Sequence, residues 1–194
     1  MMERAVPDLA AAAEEVLHLL DGMDLPACLI GALAVHRWGE PRATADVDLT
    51  VLAPYGEEDR VLDALFGRFA PRHADAREFA LAHRVALVRA SAGVPVDVAL
   101  AGFQFELEVL DRASPWQVVP GVTVRTCSAE DLILYKLVAA RAQDLVDVDS
   151  IVRRQHSRLD VERIRWWGRA LAELKDDPDL LRPFEDALRR IGQG

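Results

Sequence analysis

Residues 31–51 read GALAVHRWGEPRATADVDLTV, a short apolar helix and a loop that lead into an aspartate pair on a strand. Strand side chains alternate, so Asp46, Asp48 and Thr50 fall on one face, while Val47, Leu49 and Val51 fall on the other. One face is core and the other is available for chemistry. Neighbouring carboxylates repel, and a fold accepts them when a cation or a bound proton compensates. A magnesium site is the simplest reading. Gly31 follows the strand expected at Ala27 to Ile30 and opens a helix expected over Ala32 to Trp38, whose free N–H groups and dipole can receive a phosphate. In the loop marked by Gly39 and Pro41, Arg42 offers paired donors to oxygens, as a brace for the acidic site or as a phosphate contact. Thr44 orders the turn before the strand through its hydroxyl.

Working outward, residues 8–21 have the apolar period of a helix, with Leu9, Ala13, Val16, Leu17 and Leu20 on one stripe. Residues 57–69 repeat that pattern, and a short helix is expected at Asp75 to His83. Arg84 to Ala90 and Val94 to Leu100 read as a hairpin around Ser91-Ala92-Gly93. In its second strand Asp97 is an isolated charge facing away from Val96 and Val98, which implies a partner, since a lone buried carboxylate is expensive. Residues 103–112 fit a helix, although Phe105 to Leu110 suits either helix or strand. A second hairpin turns at Pro120-Gly121.

Ser128 and the acids after it have the spacing of a helix N-cap, and no Gly or Pro follows until Gly168. That predicts helix throughout. One unbroken helix over Lys136 to Asp147 would put Lys136, Ala140, Gln143, Asp144 and Asp147 on one side. The basic run Arg153-Arg154-Gln155-His156 reads as a solvated helix end, and Asp160 as the cap of the next helix.

The full chain has 194 residues, 51% hydrophobic and 28% charged, with a formal net charge of -9. Those values suit a globular chain with a sizeable core and argue against a broad nonspecific nucleic-acid surface. Cys28 and Cys127 form no metal-ligand pattern and are expected as buried thiols. At the start, Glu3 and Arg4 precede Pro7 and Asp8 without the basic and apolar regions of a signal peptide. No run approaches the ~18 apolar residues of a membrane span. No membrane partner and a cytoplasmic location are expected.

These residues resemble the nucleotidyltransferase superfamily of the DNA polymerase beta type. Closer still is the bacterial branch of abortive-infection (AbiE-type) toxins, whose pattern GGxAxxxxGxxRxTxDxD is similar to Gly31, Ala34, Gly39, Arg42, Thr44, Asp46 and Asp48. Ala32 stands where Gly or Ser is usual, which leaves the backbone donor and removes a hydroxyl. The resemblance, over roughly Leu25 to Val152, implies an α+β fold: a small mixed sheet carrying Asp46, Asp48 and Asp97, flanked by helices, with a helical C-terminal part packed beside the cleft. It implies a core over residues 1–126 and a helical region over 127–194. Asp97, in Val96-Asp97-Val98, matches the family's third carboxylate, which completes the metal site or takes a proton from the attacking hydroxyl.

Lys136 matches a lysine on the helix after the sheet, expected to neutralise a triphosphate and to matter little for folding. Asp144 and Asp147 match a downstream Asp-x-x-Asp that orders the site, and Gln143 stands where a lysine is frequent. The implied nucleotide contacts are Gly31, Ala32, Arg42, Thr44, Lys136, Asp144 and Asp147. The implied activity is transfer of a nucleoside monophosphate from a nucleoside triphosphate such as ATP to an acceptor, with two Mg²⁺ ions among the three aspartates. The toxin branch implies an RNA acceptor such as transfer RNA and a cognate antitoxin. Related branches modify antibiotics or proteins, and a decayed transferase that only binds a partner is the alternative of another class.

Overall fold

The computed structural model describes residues 5–192; Glu3 and Arg4 lie outside them. The chain divides into two units, one of residues 1–33 and 43–127, the other of residues 34–42 and 128–194.

The first unit is built on a seven-stranded mixed sheet of order β3-β4-β5-β2-β1-β7-β6. Its strands are β1 (Ala27–Ile30), β2 (Val47–Leu52), β3 (Ala70–Pro71), β4 (Val85–Arg89), β5 (Pro95–Ala101), β6 (Ser114–Val119) and β7 (Val122–Thr126). Around it are the helices α1 (Val6–Asp21), α3 (Glu58–Arg68), α4 (Ala76–His83) and α5 (Gln104–Arg112), while α2 (Gly31–Trp38) starts where β1 stops. The expected α+β class is observed, with both hairpins in place. Residues 104–112, within which Phe105 to Leu110 fit either state by pattern, are helix: Glu106 accepts the N–H groups of Gly102 at 2.7 Å and Phe103 at 3.2 Å, fixing the helix start.

Leu9, Val16 and Leu20 of α1 and Leu29, Leu49, Val51, Val96 and Val98 of the sheet are fully buried side chains, each stabilising by roughly 1.5–3 kcal/mol relative to exposure. Strand β2 carries its valines and Leu49 inward, as the alternation requires. Its ladder begins at Val47, one residue later than the pattern indicates. Asp46 therefore sits in the bend before the strand, where a side-chain bond rather than the pleat sets its direction. Both Cys28 and Cys127 are buried thiols.

The second unit holds α6 (Ala129–Ala139), α7 (Ala142–Gln155), α8 (Val161–Lys175) and α9 (Arg182–Ile191). Ser128 caps α6, accepting the N–H of Asp131 at 3.1 Å, and Asp160 caps α8, accepting that of Arg163 at 3.0 Å. The uninterrupted helix expected from Ser128 is not formed. Ala140 takes a left-handed conformation, φ 52° and ψ 21°, and its N–H closes on the Lys136 carbonyl at 2.9 Å, ending α6. Helix α7 restarts because Asp144 accepts the Arg141 N–H at 3.3 Å from within its first turn. A second break at His156, φ 42°, separates α7 from α8. Arg153, Arg154 and His156 are exposed, as expected of a solvated end, while Gln155 is buried; Arg154 and Gln155 donate to the carbonyls of Gly39 and Trp38, tying residues 34–42 to α7. Among the described residues no helix is long and apolar enough to cross a membrane.

Candidate active site

In the first unit the register of four strands sets up one transverse row. Ile30 of β1 pairs with Asp48 of β2, Asp48 with Asp97 of β5, and Asp97 with Leu87 of β4. The N–H of Arg72, just past β3, donates to the Leu87 carbonyl at 3.0 Å and extends the row by one position. Register partners point to the same side of a sheet. The two aspartates thus stand side by side on adjacent parallel strands, with an arginine two strand spacings away.

Each carboxylate has a different neighbourhood. Asp48 leans over the start of α2: the Ala32 N–H lies 3.4 Å from its Oδ2, and a Cβ placed on Gly31 would stand 1.9 Å from that oxygen. Only a glycine leaves room for the carboxylate, and Gly31 also takes φ +67°, a conformation L side chains rarely adopt. Asp46 is held by Thr44, whose hydroxyl donates to Oδ1 at 2.8 Å, which is the turn-ordering role expected of that threonine's hydroxyl. Asp97 is ion-paired to Arg72, with both side chains about one-third exposed or less (32% and 28%). Burial, the largest influence, pushes the Asp97 carboxyl above its ordinary value; Arg72 pulls it back, and the nearby Asp46 charge pushes it up again.

That balance gives a testable sign. A carboxyl raised in the folded state loses stability as pH climbs from its unfolded value through the raised one, so at neutral pH charged Asp97 weakens the fold. In chelator, Asp97→Asn is expected to leave urea stability unchanged or to increase it. A clear loss would show that the Arg72 pair outweighs burial and that Asp97 is a structural partner.

In the second unit, Arg42, Lys136, Asp144 and Asp147 converge. Arg42 grips Asp147 with two parallel bonds, Nε to Oδ1 at 2.8 Å and Nη2 to Oδ2 at 2.9 Å. Lys136, 4% exposed, places Nζ 2.9 Å from Asp144 Oδ1 and 2.9 Å from Asp147 Oδ2. Arg141 adds a bond from Nε to Asp144 Oδ2 at 2.6 Å, and Gln143 one to Asp147 at 3.2 Å. Burial raises both carboxyls, and the bonds from Arg141 and Lys136 at Asp144, and from Arg42 and Lys136 at Asp147, outweigh it and hold them below the ordinary range. The lysine and the acids meet across the break at Ala140 rather than along the single face that one unbroken helix would give. Because Lys136 is enclosed by two acids, it also bears on folding, contrary to the expectation from its helix position.

Neither a protein-family model nor a curated protein sequence matches this chain. Solved structures do match. The antibiotic-resistance factor ANT(2'')-Ia aligns in its solution structure with TM-score 0.60 and 18% identity, covering 89% of this chain and 97% of that one. Its crystal structure with adenylyl-2''-tobramycin aligns with TM-score 0.52 and 18% identity, over 86% and 98%. An antigenic nucleotidyltransferase-like protein from Paracoccidioides brasiliensis gives TM-score 0.53 and 17% identity, over 97% and 95%. The fold is that of the nucleotidyltransferases.

Within this nucleotidyltransferase fold, three carboxylates are hard oxygen donors of the kind that magnesium takes. Asp48 and Asp97 are adjacent in register, and the charge of Asp46 is felt at Asp97. In chemistry the donor set suits a divalent cation. Its present arrangement is not closed: among the described residues no three His, Cys, Asp or Glu side chains stand close enough together to hold an ion. Asp48 is turned to Ala32 and Asp97 to Arg72. Arg72 is the one member of the row that sequence reasoning missed. Its signal is weak, a basic residue after a two-residue strand, and only the register shows which acid it faces.

Proposed function

We propose that the chain transfers a nucleoside monophosphate from a nucleoside triphosphate to an acceptor hydroxyl, with Asp46, Asp48 and Asp97 holding Mg²⁺, two ions as in related two-metal sites. The observation that carries this reading is the Asp48–Asp97 register pair beside the Gly31 helix start, inside a nucleotidyltransferase fold. Bound magnesium supplies charge neutralisation on the phosphates and acidifies the attacking hydroxyl. The chain's residues do the rest. Asp97, with its raised carboxyl, is the group suited to accept the acceptor's proton. As the hydroxyl oxygen bonds to the α-phosphorus, the bond to the β-phosphate breaks and pyrophosphate leaves. The N–H of Ala32, at the positive end of α2, now faces Asp48 Oδ2 at 3.4 Å and becomes a donor for phosphate oxygens when that carboxylate turns to the metal. Thr44 keeps Asp46 aimed. Lys136, Arg42, Asp144 and Asp147 enter as the braced charge group of the helical unit, with Lys136 the cation that would neutralise the triphosphate.

For the acceptor, the abortive-infection resemblance favours RNA, such as a transfer RNA end, and a cognate antitoxin belongs with that reading. A cationic small molecule is the second reading. It is favoured by the net charge of -9 and by the fold shared with ANT(2'')-Ia, whose crystal structure holds adenylyl-2''-tobramycin. The test is incubation with each labelled nucleoside triphosphate, Mg²⁺ and pools of transfer RNA, total RNA, aminoglycosides and protein, followed by asking which pool gains label.

The same reading predicts a thermal shift. Mn²⁺ or Mg²⁺ with nucleotide is expected to raise the melting temperature, since a ligand of the folded state stabilises it by mass action. Asp48→Asn should abolish most of the rise. Equal shifts in the two proteins would remove Asp48 from the site.

A further inference from the structure

We propose that Arg72 is a built-in counter-cation that competes with a divalent metal ion for Asp97, and so sets how readily the aspartate row accepts metal. The inference rests on the metal-dependent reading above.

Its basis is geometric. Arg72 is locked to the sheet through its backbone bond to Leu87, which places its side chain in the same transverse row as Asp97 and Asp48. Its Cα is two strand spacings from that of Asp97, roughly 10 Å, a gap that an extended arginine crosses. The guanidinium ends on Asp97 Oδ1. In a row with two adjacent acids, one positive charge is thus supplied by the chain itself. Partial burial makes that charge effective, because solvent screens it less than it would a fully exposed pair.

A divalent ion held by Asp97 would compete with the guanidinium that now sits on Oδ1. Metal binding therefore exchanges an arginine for an ion, and Arg72 weakens the net affinity. A guanidinium that merely positioned Asp97 for the metal would do the opposite: its removal would loosen Asp97 and lower the affinity. The direction of the change separates a competitor from a support.

The experiment is Mn²⁺ titration of the full chain, without nucleotide, followed by free-Mn²⁺ electron paramagnetic resonance or calorimetry. Arg72→Gln is expected to tighten Mn²⁺ binding about five-fold or more. Arg72→Lys keeps the charge but loses the planar fork, and should fall between Arg72→Gln and the wild type. On an Asp97→Asn background, Arg72→Gln should change nothing, because the competition acts through that carboxylate. Equal or weaker binding by Arg72→Gln overturns the inference and leaves the metal reading intact, and so does a gain that persists in Asp97→Asn. Should Arg72→Gln fail to fold, Arg72→Lys decides alone: tighter than wild type supports the competition, equal or weaker rejects it. No Mn²⁺ binding by any of these proteins overturns both the inference and the metal site.

Discussion

Lys136→Ala is expected to lower the unfolding free energy by about 3–5 kcal/mol, the range for removing one partner of a buried ion pair. The lysine side chain is 5% exposed, and Asp144 and Asp147 are 1% and 2% exposed, so solvent offers little relief once the cation is gone. Arg42 still holds Asp147, and Arg141 still holds Asp144, which keeps the effect from being larger. Urea unfolding at pH 7 measures it. A loss below roughly 1 kcal/mol would place Lys136 among surface pairs and reject the buried-network description. The pH dependence follows from the direction of the shifts. Both acids have folded values depressed below the unfolded one, so their contribution is complete above an unfolded pKa of about 3.9 and is lost as pH falls through the folded values. Wild-type stability should therefore decline as pH falls below about 4. In Lys136→Ala the decline should be shallower, because part of the depression is gone.

Gly31→Ala should be nearly as damaging to the fold and more damaging to the site. The left-handed backbone costs an alanine about 1 kcal/mol. To that is added a collision that rotation of the carboxylate does not relieve, since the new methyl would stand 2.5 Å from the Asp48 Cβ as well as 1.9 Å from Oδ2. The helix start and β2 must separate. A total destabilisation of roughly 2–4 kcal/mol is expected, with loss of on the order of a hundred-fold in any transfer rate, because reacting groups misplaced by about 1 Å lose that much. Gly93→Ala is the control. It has a comparable φ of +69° but nothing within 4 Å of its would-be Cβ. Denaturant unfolding of both variants isolates the collision as their difference, and identical losses would show that Asp48 yields without cost.

The parts of this molecule that sequence makes legible are those governed by local period. Alternation in VDLTV suffices to put Leu49 in the core and Asp48 beside the site, and it works because β2 is central and its apolar face has nowhere else to go. The same holds for Asp97, whose partner in register lies some fifty residues back with α3, β3, α4 and β4 between them, yet whose valine neighbours fix its side of the sheet. The break at Ala140 is opaque for the opposite reason. Alanine is the strongest helix former, and nothing nearby is Gly or Pro; the left-handed turn there lies beside a charge cluster that only the pairing of α6 with α7 brings together. Pairing of Arg72 with Asp97 is likewise a product of register across three strands.

Residues 34–42 have a bearing on how the polypeptide can be divided. They belong with the helices that follow Cys127, although the strands from β2 to β7 separate them in sequence from those helices. Within that group Arg42 grips Asp147, and the carbonyls of Trp38 and Gly39 receive Gln155 and Arg154. A fragment beginning at Ser128 would carry Asp147 without its bidentate arginine, and one ending at Cys127 would carry a nine-residue segment stripped of its acceptors' donors. No single cut of the backbone yields two self-sufficient pieces. Split-protein reporters, domain exchange with relatives, or expression of the helical unit alone would each have to bring residues 34–42 along.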